Sequence, residues 1–226
     1  MQGQLSTVDR TSRHPLWLLV GFWICVVIAI TVVIRRILAL EGSNGGTGPT
    51  AKMDATFSSH AALTMAHIVP AMIFVLLAVA VLFHRGRGKW LQPAFFAFGA
   101  ITGVTAYAMS SYAIGGWIER SAVLVFDTWF LVALSFAFRF YMRGEAGKQR
   151  TWTTRAVGIL LGIATTRPVM GVFFATSPKT HLSPQEFFGL AFWIGFSINV
   201  LVIELWLHSR RRAQLNNLYS LRALRV

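Results

Sequence analysis

Apolar residues fill six long stretches of the chain, and shorter polar stretches separate them. Each apolar stretch is long enough for an α-helix to cross the hydrocarbon core of a bilayer, which takes about 20 helical residues. The pattern therefore predicts an all-α fold, a polytopic transmembrane bundle of six helices. The predicted helices cover about residues 16–34, 60–83, 91–114, 121–141, 151–174 and 187–207.

The first apolar stretch follows two arginines, as the core of a secretory signal would. Its apolar part is longer than a signal core, and it ends at Arg35-Arg36 rather than at a small-residue cleavage site. We therefore interpret it as a retained helix. Residues 1–226 then form a single transmembrane domain that ends in a basic, amphipathic tail over residues 208–226.

The composition of the chain excludes an ordinary soluble domain, because its 226 residues are 55% hydrophobic and 13% charged, with a net charge of +13. The single cysteine, Cys25, rules out an internal disulfide and disfavours a thiol-based active site. The sequence contains no phosphate loop, metalloprotease motif, nucleophile elbow or zinc cluster. We therefore predict no metal site, assign no catalytic residue and leave enzymatic activity open.

Basic residues are distributed unequally between the two ends of the predicted helices. Thirteen lysines and arginines fall on the side that holds both termini, and five fall on the other side. By the positive-inside rule, both termini face the cytoplasm, and we expect a bacterial inner membrane. Four tryptophans lie at the predicted cytoplasmic boundary, where the indole ring prefers the head-group level. They are Trp17, Trp90, Trp152 and Trp206.

The tail after residue 207 mixes five arginines with leucines. This composition favours a helix on the inner leaflet, where anionic lipid attracts each juxtamembrane cation by about 1 kcal/mol. Binding of nucleic acid is disfavoured so close to a membrane exit. Glu204 and His208 are four residues apart at the inner end of the last helix, and we expect them to pair on one helix face.

Small residues one turn apart occur in two predicted helices, as Gly99-x-x-x-Gly103 and Gly158-x-x-x-Gly162. Such residues let helix backbones approach closely in lipid. We interpret both motifs as sites of helix packing.

Three ionisable residues of three different helices fall at one predicted depth. His67 lies seven residues inside the outer end of its helix, Asp127 lies six residues inside, and Arg167 lies seven residues before the outer end. At a rise of about 1.5 Å per residue, each lies roughly 10 Å below the outer surface. Tyr107 and Trp193 reach a similar level on two other helices. We predict that these five residues line a ligand-binding site.

An isolated charge at the centre of a transmembrane helix costs about 2.5–3.5 kcal/mol, so such a residue normally faces the bundle interior and a partner. Asp127 is the expected counter-ion of Arg167. The pair either fixes the register of two helices or, with His67, handles a ligand or a proton. Pro70 and Pro168 each remove a backbone hydrogen bond near these residues, which would open a cavity and free carbonyl acceptors.

The histidines allow a cofactor as an alternative. His60 and His67 are seven residues apart, about 10 Å along one helix, which is too far to bind one metal ion together. A b-type haem would need histidines from two segments. The candidate pairs are His67 with His181 and His84 with His208.

Several motifs occur in order between residues 60 and 170. They are His67-x-x-Pro70, the basic turn His84-Arg-Gly-Arg-Gly-Lys89, an aromatic helix around Trp129, the segment Gln149-Arg-Thr-Trp-Thr-Thr-Arg155, and Arg167 deep in the helix that follows. This arrangement resembles a family of bacterial predicted membrane proteins classed as domain of unknown function 2306. The resemblance implies an inner-membrane helical bundle, emphasises His67 and Arg167, and names no substrate.

Our main hypothesis is a protein that binds a small lipophilic ligand such as a quinone in an outer-leaflet polar pocket. Redox or proton-coupled chemistry would follow, with His67 as the proton donor or acceptor. The alternatives are a non-catalytic accessory subunit of a larger membrane complex, a small-solute transporter and a b-type haem protein. Anionic lipid at the tail, a larger complex or a homo-oligomer are the expected partners.

Overall fold

The computed structural model of the chain describes residues 15–41, 55, 57–83 and 90–223. The predicted haem ligand His84, the basic turn that it opens and the arginines before the first helix lie outside these residues.

The described part of the chain is 92% helical and contains no strand. Six of its helical segments are long and apolar enough to cross a membrane, which confirms the predicted all-α fold and indicates a multi-pass membrane protein. The helices are α1 (Leu16–Glu41), α2 (Ala61–Phe83), α3 (Leu91–Ser110), α4 (Gly116–Met142), α5 (Ala146–Leu160), α6 (Gly162–Thr180) and α7 (Pro184–Ala223).

The predicted fifth helix is divided at Leu161, so that α5 and α6 together form one candidate span, Ala146–Thr180. At the division, the N–H of Ala164 donates to the carbonyl of Leu161, three residues back, at 3.0 Å. This bond tightens one turn of the helix. The prolines do not mark the division, since Pro70 and Pro168 lie inside the continuous helices α2 and α6.

The last helix is longer than its predicted apolar stretch, because α7 continues through most of the basic tail as one helix of 40 residues. No glycine or proline follows Gly195 in the sequence, so the two strongest helix breakers are absent there. The tail is therefore helical, and within the described residues it extends the last span rather than forming a separate helix.

The centre of the bundle is α4, which packs against α3, α5 and α7. Aromatic rings fill the contacts around it. Phe130 meets Phe74 of α2 edge to face with the ring centroids 5.6 Å apart, and Phe126 stacks on Phe196 of α7 at 5.1 Å. In contrast, α1 packs only against α2 and α6 among the described helices, and most of its side chains are at least partly exposed.

Glycines allow the closest helix approaches, as both small-residue motifs predict. A Cβ atom on Gly99 would lie 2.7 Å from the ring of Phe74, and one on Gly158 would lie 2.4 Å from Ile203. The same holds where α6 crosses α7, since a Cβ atom on Gly195 would lie 2.7 Å from the backbone of Thr166. The predicted packing role of these glycine motifs is confirmed.

Substituting Gly195 by alanine should separate α6 and α7, because the new methyl group meets backbone that cannot rotate away. We expect Gly195→Ala to destabilise the protein by about 1–3 kcal/mol, the usual cost of overpacking. Thermal unfolding in detergent measures this change. The matched control is Gly171→Ala on α6, where an added Cβ atom meets nothing within 4 Å. A loss of stability in the control as large as that in Gly195→Ala would contradict the packing argument.

Candidate functional site

The backbone positions of Asp127 and Arg167, the predicted acid and cation, lie at a similar depth in the bundle. Phe126 of α4 stacks on Phe196 of α7, and Gly195 of α7 abuts Thr166 of α6. The residues that follow Phe126 and Thr166 in the sequence are the predicted pair, Asp127 and Arg167. The helix contacts are therefore consistent with the common depth that was predicted for Asp127 and Arg167 by counting residues along their helices.

The side chains of that pair do not meet. Oδ2 of Asp127 is buried without a hydrogen-bond partner, and so is Nε of Arg167. The described residues contain no ion pair or hydrogen bond between the two side chains, so the expected counter-ion relationship is wrong. Depth along a helix sets the level of a side chain, but the rotation of the helix about its axis decides which neighbour that side chain faces.

Arg167 instead lies near a different carboxylate. Its Nη1 donates weakly to Sδ of Met170 at 3.9 Å, and its charge interacts with Glu119 of α4 and with Arg35 and Arg36 of α1. Arg35 and Arg36 lie near the C-terminal end of α1, and Glu119 lies in the first turn of α4. The guanidinium of Arg167 thus interacts with groups nearer to the helix ends than Asp127, as expected of a long cationic side chain that extends towards an interface.

Glu119 is a site residue that our sequence interpretation missed. It is one of the few buried charged residues, and its Oε2 accepts a hydrogen bond of 2.6 Å from the N–H of Gly115 at the start of α4. A carboxylate in the first turn of a helix can satisfy an unpaired N–H group and favours the helix dipole. The sequence did contain a signal for this contact, because Glu119 follows Gly115 by four positions. The predicted helix started at residue 121, however, and so Glu119 was assigned to a loop.

His67 is held by the neighbouring helix α3. Its Nδ1 lies 2.9 Å from Oγ1 of Thr105. The Thr105 hydroxyl in turn lies 2.7 Å from the carbonyl of Ile101 and 3.0 Å from that of Thr102, and it donates its only proton to one of them. Nδ1 of His67 is therefore the donor to Thr105, which leaves Nε2 of the neutral ring as an acceptor.

The other predicted residues occupy separate places. Tyr107 hydrogen-bonds to Thr128 of α4, and Nε1 of Trp193 donates to Ser121 at 3.4 Å. The two remaining haem candidates with described positions are exposed: His181 ends α6, and His208 lies in the inner extension of α7. A haem between two histidines stays a prediction.

An apolar cleft of the bundle lies between α1 and α7, two helices that do not pack against each other among the described residues. This space, which we call the α1–α7 cleft, has a volume of about 400 Å³. Residues of α1, α5, α6 and α7 line it, together with the inner end of α2. None of the five predicted ligand-binding residues lines it.

One wall of the α1–α7 cleft is polar. Thr165 of α6 donates to Oδ1 of Asn199 on α7 at 2.6 Å, and Nδ2 of Asn199 donates to the carbonyl of Gly158 at 3.1 Å. The thiol of Cys25 on α1 lies 3.7 Å from the Thr165 hydroxyl. Asn199 also hydrogen-bonds with the Cys25 side chain. Cys25, Thr165 and Asn199 therefore form one polar patch within apolar walls.

Glu204 pairs with a residue other than the one expected. Both of its oxygens accept from Arg155 of α5, at 2.6 Å from Nε and 2.9 Å from Nη2. The expected pairing with His208 is wrong, because a guanidinium offers two parallel N–H groups that match a carboxylate better than one imidazole N–H does. This ion pair links α5 to α7.

The pair of Arg155 and Glu204 should stabilise the bundle measurably. A double-mutant cycle of Arg155→Met and Glu204→Gln is expected to give a coupling energy of about 1 kcal/mol, because the pair is bidentate and only partly exposed. The control cycle uses Lys148 and Glu145, an exposed pair three residues apart, for which about 0.3 kcal/mol is expected. Unfolding in mixed micelles measures both cycles. Equal coupling energies in the two cycles would argue against a structural role for the α5–α7 ion pair.

No protein family model, no curated protein and no solved structure matches this chain significantly. Function therefore has to be argued from the geometry of the bundle.

Proposed function

We propose that this membrane protein binds a lipophilic molecule with a carbonyl-bearing head group, of the quinone class, in the α1–α7 cleft. The observation that carries the proposal is a cleft of about 400 Å³ with apolar walls and one polar patch. Ligand pockets of small molecules have this character: concave, mostly apolar and fitted with a few polar groups that fix orientation.

The polar patch suits a carbonyl oxygen. Asn199 has its Oδ1 occupied by Thr165 and one N–H occupied by Gly158, so its orientation is fixed from both sides. The other contact of Asn199 is with the Cys25 side chain, and sulfur is a weak hydrogen-bond acceptor. A ligand carbonyl that replaced the thiol would accept a stronger hydrogen bond from the Asn199 amide.

The open side of the cleft suits an apolar tail. Because α1 stands apart from α7, a ligand can enter sideways from the hydrocarbon, and side chains such as Phe22, Ile24 and Val202 would contact its chain. The sequence predicted a ligand-binding site among outer-leaflet residues. The proposed site lies instead on the face of α6 and α7 that carries Thr165 and Asn199.

We also propose a bacterial inner-membrane location with both termini in the cytoplasm. The unequal distribution of basic residues supports this orientation. Anionic lipid would then contact the arginines in the inner extension of α7, where Arg210 packs over Trp206 with its guanidinium carbon 5.1 Å from the ring centroid.

Removing the Thr165 hydroxyl should weaken ligand binding, because Asn199 would lose the group that orients its amide. We expect Thr165→Val to reduce the affinity for a short-chain ubiquinone about 3- to 10-fold, the effect of one hydrogen bond. Saturable quenching of tryptophan fluorescence measures binding, since Trp17 and Trp206 both line the cleft.

The matched control is Thr176→Val, a threonine on the same helix whose hydroxyl donates only to carbonyls of its own helix and which does not line the cleft. Its affinity should equal that of the unmodified protein. Absence of saturable quenching in the unmodified protein, or equal weakening in both variants, would refute the quinone proposal.

A second candidate function is that of an accessory subunit, and one observation favours it. A groove of about 480 Å³ runs along α3 and α4, and its wall includes Thr128, Ser135 and Arg139 on the exposed face of α4. Polar side chains on a lipid-facing surface are typical of contacts between transmembrane helices.

A bulky side chain in this groove would distinguish the accessory-subunit proposal from the quinone-binding proposal. Under the accessory-subunit proposal, Ser135→Trp should remove the chain from the complex that contains it after mild detergent extraction, and Thr165→Val should not. Size analysis of the extracted complex measures this outcome. An unchanged complex in Ser135→Trp would count against the second candidate.

A further inference from the structure

Arg167 is a cation whose hydrogen-bond donors are mostly unused. A guanidinium has five N–H donors and cannot be deprotonated in a protein. Among the described residues, Arg167 makes one hydrogen bond, the weak one from Nη1 to Sδ of Met170 at 3.9 Å. Its Nε is buried and has no partner. The side chain therefore holds unused donors and a permanent charge that no ion pair within the described residues balances.

Two further arginines lie close enough to act on this charge. Arg35 and Arg36 are near the C-terminal end of α1, which packs against α6, and both interact electrostatically with Arg167. The guanidinium carbon of Arg36 is 4.0 Å from the centroid of the Phe57 ring, a cation–π contact that holds the side chain in place. Arg35, Arg36 and Arg167 therefore form one group, which we call the arginine cluster.

The described carboxylates do not neutralise the arginine cluster. The charge of Glu119 acts on Arg167, but Oε2 of Glu119 accepts its hydrogen bond from the N–H of Gly115, at 2.6 Å. Oδ2 of Asp127 is buried without a partner, so this carboxylate does not bind Arg167 either. Three guanidinium groups and one nearby carboxylate leave an excess of positive charge among the described residues of this site.

The arginine cluster lies about one membrane thickness from the start of α1. Arg36 follows Leu16 by 20 residues, which span about 30 Å of helix, and the hydrocarbon core of a bilayer is also about 30 Å thick. Trp17 at the opposite end of α1 is of a residue type that prefers the membrane boundary. With Trp17 at one boundary, Arg36 reaches the head-group level of the other, where lipid phosphates lie.

We propose that Arg167, Arg35 and Arg36 bind a phosphate group, and that the head group of a membrane phospholipid supplies it. A guanidinium binds phosphate oxygens through two parallel, charge-assisted hydrogen bonds, so the unused donors of Arg167 would gain strong acceptors. The negative charge of the phosphate would offset the excess positive charge of the cluster. Free phosphate from the aqueous side has the same chemistry, and the experiment below separates the two sources.

This site is separate from the α1–α7 cleft, because none of the three arginines lines that cleft. The inference therefore does not depend on the proposed quinone. It gives α1 an additional attachment to the bundle, since Arg35 and Arg36 belong to α1 and Arg167 belongs to α6. A phosphate bound by all three would join the two helices.

Thermal unfolding of the purified full chain in detergent, titrated with phosphatidylglycerol, tests the site. A ligand that binds the folded protein raises its unfolding temperature, and the dependence on ligand concentration gives an apparent affinity. Diacylglycerol with the same acyl chains lacks the phosphate and should give no comparable rise. Arg167→Gln should reduce the apparent affinity for phosphatidylglycerol about 10-fold or more, because charge-assisted hydrogen bonds are lost.

The matched control is Arg120→Gln. Arg120 is an exposed cation near the start of α4, its guanidinium carbon lies 5.6 Å from the ring centroid of Trp117, and it is not among the charges that act on Arg167. This variant should bind phosphatidylglycerol as the unmodified chain does. If Arg167→Gln fails to fold, Arg35→Gln at an exposed position provides a second variant, with an expected loss of about 3-fold because exposed charges contribute less.

Inorganic phosphate, titrated in place of the lipid, separates the two sources. A rise in unfolding temperature with phosphatidylglycerol alone supports the lipid head group. A rise with inorganic phosphate that Arg167→Gln abolishes would support the phosphate site but overturn its assignment to a lipid. The whole proposal would be overturned by the absence of any rise, by an equal rise with diacylglycerol, or by a loss of affinity in Arg120→Gln as large as in the cluster variants.

Discussion

Polar side chains inside this bundle depend on partners from adjacent helices, because hydrocarbon offers no hydrogen bonds. Such partnerships join different helices at several places; for example, Thr105 holds His67, Asn199 holds Thr165, and Glu204 holds Arg155. Each partnership fixes the rotation of two helices about their axes as well as their relative depth. Three buried side-chain atoms of the described residues lack hydrogen-bond partners, Oγ1 of Thr153, Oδ2 of Asp127 and Nε of Arg167, and the last two belong to ionisable groups.

The helices and their packing glycines were predictable, whereas the pairing of polar side chains was not. A run of about 20 apolar residues determines that a helix spans a membrane, and Gly99 or Gly158 indicates close approach whatever the neighbour is. To predict which polar side chains pair, the rotation of each helix about its axis must be known. Asp127 and Arg167 lie at similar depth, yet Arg167 extends outward to the vicinity of Glu119. Counting residues gives depth alone, so it suggested the wrong carboxylate.

The α1–α7 cleft could not be predicted from the sequence, for a related reason. It exists because α1 contacts α2 and α6 but leaves α7 uncovered, and a missing contact has no signature in the composition of either helix. Thr165 and Asn199 are 34 residues apart and carry no charge, so neither was predicted to bind a ligand. Their significance comes from their position, since they form the polar wall of a cavity whose other walls are apolar.

The α1–α7 cleft can admit a ligand because α7 packs closely against α4 and α6, whereas α1 packs only against α2 and α6 among the described helices. Gly162 and Gly195 bring α6 and α7 into backbone contact, and Phe126 joins α7 to α4. A ligand that enters beside α1 can thus displace that helix while α7 stays packed against α4 and α6. An effect of the ligand on the rest of the bundle would then need a physical link. The links available among the described residues are the contacts of α1 with α2 and of α6, through α7, with α4.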